Sequence, residues 1–494
     1  MKVLLVYPVF PDTYWSFRHA LKIEGKKAPF PPLCLLTVAG MLPSTWERKL
    51  VDMNVEELRR DDIEWADIVF VSAMIVQKES LEEVVDLARS MGKRVAAGGP
   101  FVSTSSDKIP AADHIFIGEA ENTLPEFIHD LELGITRKFY QANERPSLQN
   151  TPVPDFSLID MRHYGAMSIQ YSRGCPFNCE FCDIIEIYGR VPRTKTNDQM
   201  LAELDALLAA GWRGRVFIVD DNFIGNKKNV RLLLPALLDW SRRNGEPFTF
   251  ITEASINLAE DEPLLQLMQD TGFQRVFLGI ETPVEESLKL TKKGQNTKRN
   301  LLDSIRKIQS YGLEVMGGFI VGFDNDPDDI FELQKNFIRE SGIPLAMVGL
   351  LSALPDTQLW RRLNKEGRLL DETSGNNTDC SLNFIPKMDK EKLVEGYKSV
   401  LRHIYSPREY YARALLCLSR YGRNGNEARS SNLKQDMKAL FTLILTLGIR
   451  DKARMHFWKY CYKVLRSHPK NFAHGLTLAA MGYHFRLITE KYTA

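Results

Sequence analysis

Short apolar runs alternate with amphipathic stretches through the first part of the chain. KVLLVYP opens it, and RKLVDMNV, DIVFVSAM, KRVAAGGP and HIFIGEAE follow. Each run is brief and rich in β-branched or apolar residues, as buried strands are. Residues 33–42 and 80–91 between them read as helices. This alternation predicts an open, parallel, doubly wound sheet, which takes ligands at the carboxyl ends of its strands. Those ends carry Pro8, Ser72, Met74, Gly98, Gly99, Pro100, Gly118 and Glu119. The small residues among them let a large ligand approach the backbone, although tight turns alone need the same glycines.

The rhythm breaks at 134–161, where the proline-rich, polar RPSLQNTPVPDF reads as a linker. A second series starts at Met167: MSIQYSRG, RVFIVDDNF, FTFITEASI, RVFLGIET, VMGGFIVGFD and AMVGLLSALP, with helical stretches at 197–210, 230–244 and 297–311. Six strand–helix units are too few for a complete eight-stranded barrel but suit an open, partial one. Its site is expected at the strand carboxyl ends, which hold three cysteines, Asp220, Asp221, Asn222, Glu253, Glu281 and Asp324. From about Met388 the pattern is helical only. Ser406 is the expected N-cap of SPREYYARALLCLSRYG and Pro407 its first helical residue. The chain therefore divides into an α/β unit at 1–135, a linker at 136–166, a partial (β/α)6 barrel at 167–387 and a helical unit at 388–494.

Hydrophobic residues at 44% and charged residues at 26% describe an ordinary soluble globular chain. A net charge of +1 argues against a nucleic-acid binder. MKVLLVYPVFPD lacks the cleavage site of a signal peptide and reads as a strand. Spanning a bilayer takes roughly 20 apolar residues. The uncharged run 28–46 is broken by four prolines, and the apolar run 439–449 is too short. The odd count of seven cysteines favours a reducing cytoplasm, with peripheral membrane contact left open.

Three of those cysteines, Cys175, Cys179 and Cys182, fall within YSRGCPFNCEFCD. Structural zinc takes four ligands, commonly in paired spacings, and the nearest histidine, His163, precedes the triplet. Three thiolates can instead hold three irons of a 4Fe–4S cube and leave the fourth iron open. CxxxCxxC with Phe181 before its last cysteine and a six-fold βα pattern behind it resembles the radical S-adenosylmethionine (radical SAM) superfamily from Met167 to about Leu370. That resemblance implies that the open iron binds SAM and that one electron cleaves it to a 5′-deoxyadenosyl radical. It further implies SAM contacts at Phe181, Asp220 or Asp221, Glu253 and Glu281. GGFIVGF resembles the family's GxIxG motif and adds Gly318 and Gly322. VDDNF departs from the GGE that many relatives carry, which leaves the choice between Asp220 and Asp221 open. Any one of these carboxylates could equally be a solvated strand end.

The ordered recurrence of YPVF, PPLCLLTVAGML, VDMN, VFVSAM, AAGGP and GEAE resembles the Rossmann or flavodoxin-like cobalamin domain fused to radical SAM enzymes. No DxHxxG occurs, and His19 and His114 lack that context, so no histidine is expected to ligate cobalt through it. Cys34 stands where relatives usually have glycine. A flavodoxin-like domain without its ligand is the alternative. Over its whole length the chain resembles the hopanoid C-2 methylase-like group of cobalamin-dependent radical SAM proteins, whose C-terminal domain has no assigned function. WSFRHALKIEGKKAPFPPL and NTDCSLNFIPKM are among the stretches that carry this resemblance.

The resemblance implies methyl transfer to an unactivated carbon of a small or lipid-like substrate, with one SAM methylating cobalamin and another yielding the radical. It also implies a reductase, flavodoxin or ferredoxin as electron donor. The rivals are a cobalamin-binding radical enzyme that rearranges, cyclises or oxidises without methylating, and a corrinoid or redox sensor. The apolar stretch 439–449 serves either a lipid-like substrate or core packing, and Lys22, Lys26 and Lys27 read as solvated surface.

Overall fold

The computed structural model describes residues 1–370, 373–376, 378–421 and 433–493. Strands β1 (Lys2–Tyr7), β2 (Glu47–Asp52), β3 (Ile68–Ser72), β4 (Arg94–Gly98), β5 (His114–Ile117) and β6 (Phe139–Gln141) form one sheet in the order β2-β1-β3-β4-β5-β6. Every pair is parallel. Alternate side chains serve separate cores, as the two-residue period of a strand requires. Leu4, Val6, Val69, Val71, Val95 and Ala97 pack beneath the helix Lys78–Ser90 in a core of their own. Val3, Leu5, Ile68, Phe70 and Ala96 face the helices Leu33–Met41 and Ala120–Leu133 and join the main core of the molecule. With both faces covered, each strand reads as an almost unbroken apolar run.

One strand lies where the sequence reads as linker. β6 pairs with β5 through Ile115, Phe116 and Ile117. Its buried Tyr140 donates its hydroxyl proton to Asp130 at 2.9 Å. A three-residue strand is too short to show a period, so its pairing is a tertiary fact.

The second sheet contains β7 (Met167–Ile169), β10 (Gly214–Ile218), β11 (Phe248–Ala254), β12 (Phe273–Glu281), β13 (Glu314–Val321) and β14 (Ala346–Leu350). They pair in chain order, each parallel to the next, as a singly wound partial barrel of six strands. Between β7 and β10, the short antiparallel ribbon of β8 (Ser172–Arg173) and β9 (Arg193–Thr194) brackets the cysteine loop.

The tail is helical: Lys390–Ile404, Pro407–Arg420, Leu433–Leu443, Arg454–Ser467 and Phe472–Thr493. Pro407 does begin its helix, but Ser406 makes no side-chain cap. Its hydroxyl donates instead to the carbonyl of His403 at 2.8 Å. The helix Leu433–Leu443 runs on into the π-helical turn Ile444–Arg450. Leu443 and Leu447 are buried there, while Leu440, Phe441 and Ile449 are exposed, so core packing explains only one side of 439–449. No helix among the described residues is long and apolar enough to cross a membrane.

Candidate active site

The cysteine loop folds back on itself because Gly174 adopts a φ of +96°. A Cβ there would lie 2.9 Å from the carbonyl oxygen of Gly189, closer than any side chain tolerates. The Cys175 amide donates to that carbonyl at 3.2 Å. Cys179 is buried, and Cys175 and Cys182 are partly exposed. Burial pushes the thiols of Cys175 and Cys182 up, so holding them as thiolates calls for nearby positive charge. No three His, Cys, Asp or Glu side chains among the described residues converge on a single-ion site. Three ligands around a cube of irons each bind a different metal, and this loop supplies three free thiols. The donor set thus fits the 4Fe–4S group. Two amides stand against the sulfurs: Nε2 of Gln295 is 3.5 Å from Cys179 Sγ and Nδ2 of Asn222 is 3.9 Å from Cys175 Sγ.

The two adjacent aspartates part company. Asp220 is buried and accepts hydrogen bonds from the Tyr171 amide (2.7 Å), the Ser172 amide (2.9 Å) and the Ser172 hydroxyl (2.6 Å). It braces β8, and burial pushes it up to about 6. Asp221 accepts from the Gly174 amide at 2.9 Å and is only partly covered; burial pushes it up to about 7. The Glu253 carboxylate makes no hydrogen bond or ion pair among the described residues. Burial, followed by repulsion from Asp221 and Asp220, pushes it up to about 8. These partly covered carboxyls suit a cationic ligand group, and SAM carries an ammonium and a sulfonium.

Glu281 has a partner that the sequence pattern did not reveal. It sits at the β12 bulge with a φ of +65° and accepts from Lys293 Nζ at 2.6 Å. Burial opposes the Lys293 charge, but Glu281 and the neighbouring Cys179 outweigh it and raise the ammonium above its usual range. Lys293 also lies 5.8 Å from the Phe181 ring centre, and Phe181 leans on Phe323. Gly318 passes the Phe277 ring, where a Cβ would come within 3.0 Å. Gly322 turns at a φ of +104°, and its amide donates to Asp326 at 2.8 Å.

A cavity of about 230 Å³ opens between the two sheets. Ser72, Gly98, Gly99, Pro100, Gly118 and Glu119 line it from the first sheet, while Gln170, Arg173, Tyr188 and Val219 line it from the barrel side. Pro8 and Met74 lie outside its lining, at the same edge of the sheet. Gly99 has a φ of +99°, and a Cβ there would fall 2.5 Å from the Ser72 hydroxyl. At Gly118 a Cβ would meet nothing within 4 Å, which leaves backbone open to a ligand. Phe70, Phe116, Val38, Met41 and Leu124 make the wall largely apolar. The apolar wall and the Cβ-free backbone at Gly99 and Gly118 fit the close approach of part of a large cofactor such as cobalamin. No histidine lines it; Cys34 does, with Sγ 3.6 Å from the Ser72 hydroxyl.

Glu119 has a further role. Its carboxylate receives Arg173 at 2.8 Å and Arg193 at 2.7 Å, and Arg173 also meets Glu121 at 2.8 Å. This ion cluster ties the first sheet to the ribbon around the cysteine loop. It was not legible in the sequence, because its members are far apart along the chain.

Three family profiles match the chain: a B12 binding domain at 27–128, the radical SAM superfamily at 169–335 and a domain of unknown function, DUF4070, at 357–494. An uncharacterized methyltransferase of Synechocystis sp. is 45% identical over 98% of this chain and 91% of its own. The hopanoid C-2 methylase of Rhodopseudomonas palustris is 35% identical over 94% of this chain and 89% of its own. Among solved structures, the cobalamin-dependent S-adenosylmethionine radical enzyme OxsB with aqua-cobalamin bound superposes with a TM-score of 0.65 at 16% identity, covering 99% of this chain and 80% of that one. The methyltransferase TsrM of Kitasatospora setae, with cobalamin and a 4Fe–4S cluster bound, gives 0.61 at 14% identity, covering 89% and 99%. At these identities the two structures show the fold.

Proposed function

Since the chain belongs to the cobalamin-dependent radical SAM methyltransferases, we propose that it methylates an unactivated carbon of a lipid-like substrate in the space between its two sheets. The observation that carries this is the shared cavity, whose wall combines the cobalamin-side Gly98, Gly99 and Gly118 with the barrel-side Gln170, Tyr188 and Val219. Cofactors held on the two sides would face one reaction space. When bound, the cluster, SAM and cobalamin supply the electron, the radical initiator and the transferable methyl that an inert carbon requires.

The chain's own residues position and shield. Cys175, Cys179 and Cys182 hold the cluster, and Gln295 and Asn222 donate to its thiolates. Asp221 and Glu253 take the cationic groups of SAM, while Asp220 holds the cysteine loop in register. Lys293 and Glu281 form a charged floor beside Phe181, and Gly318 and Gly322 leave room for the rest of SAM. Ser72, Gly98, Gly99, Pro100 and Gly118 cradle cobalamin, Pro8 and Met74 border it, and the apolar cavity wall keeps water from the reacting centre. The lipid-like substrate follows from the kinship with a hopanoid C-2 methylase. A cytoplasmic location and a reductase, flavodoxin or ferredoxin donor complete the reading.

The test is anaerobic incubation of reconstituted protein with SAM, cobalamin, a strong reductant and a hopanoid. The expected result is S-adenosylhomocysteine and 5′-deoxyadenosine together, with a hopanoid heavier by one CH2. Cobalamin-dependent S-adenosylhomocysteine without a heavier hopanoid would keep methyl transfer and reject this lipid. Deoxyadenosine alone would replace methylation by another radical reaction.

A further inference from the structure

The hairpin of the tail carries apolar residues on the side that the core does not use. On the helix Arg454–Ser467, Phe457, Tyr460, Cys461 and Val464 are buried against the rest of the molecule. Met455, Trp458, Tyr462 and Leu465 recur at i, i+3, i+7 and i+10, which places them on one stripe bordering the buried face. All four are exposed, Tyr462 at 64% and Met455 at 62%. On the preceding helix, Met437, Leu440 and Phe441 share a face, with Phe441 exposed at 68%, and Ile449 continues it on the π-helical turn. The two arms are joined rigidly. Trp458 donates its indole N–H to the Gly448 carbonyl at 2.9 Å, and Asp451 at the bend is held by Arg486 at 2.6 Å.

Charge around this face is one-sided. Residues 433–467 contain eight Lys or Arg (Lys434, Lys438, Arg450, Lys452, Arg454, Lys459, Lys463 and Arg466) against two aspartates, in a chain whose totals are 64 and 63. One of those aspartates, Asp451, is neutralised by Arg486. By helical position, Lys459, Lys463 and Arg466 run along one flank of the Met455–Leu465 stripe. An apolar stripe with Trp and Tyr, bordered by long cations, matches the interface of a bilayer that carries anionic headgroups.

We propose that this face docks the protein on an anionic phospholipid surface, lying in the interface without spanning it. The proposal does not depend on the methyl-transfer reading, because binding is measured without turnover. The test is co-sedimentation of the full-length chain with vesicles of phosphatidylcholine alone and with vesicles containing about one third phosphatidylglycerol. The expected result is at least about tenfold stronger binding to the anionic vesicles, weakened by high salt. Phe441→Ser with Leu465→Ser should abolish binding without changing the thermal melt. Lys459→Glu with Lys463→Glu should remove the preference for phosphatidylglycerol. Absence of binding to anionic vesicles would overturn the proposal. So would a wild-type dimer in sedimentation velocity that the Phe441→Ser, Leu465→Ser variant converts to monomer without any vesicle binding, since the face would then join two copies of the chain.

Discussion

Adjacent residues in this site have opposite tasks. Asp220 and Asp221 differ by one position and therefore by one face of the strand end; the first binds backbone and hydroxyl donors and the second meets the opening. Replacing any one of Cys175, Cys179 or Cys182 by Ala is expected to cut the iron content and the charge-transfer absorbance of reconstituted protein. Glu253 is the better probe of SAM binding because its carboxylate has no partner among the described residues. Glu253→Gln should weaken SAM about 10- to 100-fold by equilibrium dialysis and leave iron content unchanged, in line with the loss of one charged hydrogen bond. Its pH dependence has a definite sign. With its value raised by burial to about 8, well above the usual carboxylate range, Glu253 is protonated at neutral pH until a cation arrives. SAM affinity should therefore rise from pH 6 towards about pH 8 and release protons, and the Gln variant should lose that component.

Elements carry constraints that single residues do not. The ribbon of β8 and β9 is two residues wide, yet it decides where the cysteine loop begins and ends. The turn after β4 depends on Gly99, where left-handed backbone and a contact with Ser72 coincide. Gly99→Ala is expected to cost about 1–3 kcal/mol in denaturant unfolding and to leave protein that loses cobalamin on desalting. Periodicity located the longer strands and helices well, because each turns one face to a core. It failed at β6, whose three residues are too few to show a period.

The molecule is closed by contacts between distant parts of the chain. Arg173 and Arg193 hold Glu119 across the two sheets, and Arg173→Ala should lower cobalamin retention while sparing the iron content. At the other end the C-terminal helix returns to the start of the chain. Tyr14 stacks on Phe485 at 4.9 Å, and His484 bonds the Tyr14 carbonyl through Nε2 at 3.0 Å while its Nδ1 accepts from the His19 amide. A second proton on that ring would face a donor. Burial accordingly pushes His484 down to about 4 from 6.5. Because the folded value is the lower one, this contribution is present above pH 6.5 and is lost as pH falls towards 4. Between pH 7 and pH 4.5 the loss amounts to about 2 kcal/mol, and thermal melts over that range should show it in wild type but not in His484→Gln.

Local patterning carried the strand–helix order, the cysteine triplet and the glycine-rich strand ends into view, because strand period, helix period and loop spacing are properties of neighbouring residues. Tertiary structure decided what neighbours cannot. Long-range packing brought Lys293 to Glu281, Gln295 and Asn222 to the sulfurs, and Arg173 and Arg193 to Glu119. Strand-end geometry separated Asp220 from Asp221, and the way the tail packs left the stripe of Met455, Trp458, Tyr462 and Leu465 facing outward. The physical reason is the same throughout: a side chain's type is written locally, whereas its partner depends on which distant segment folding brings against it.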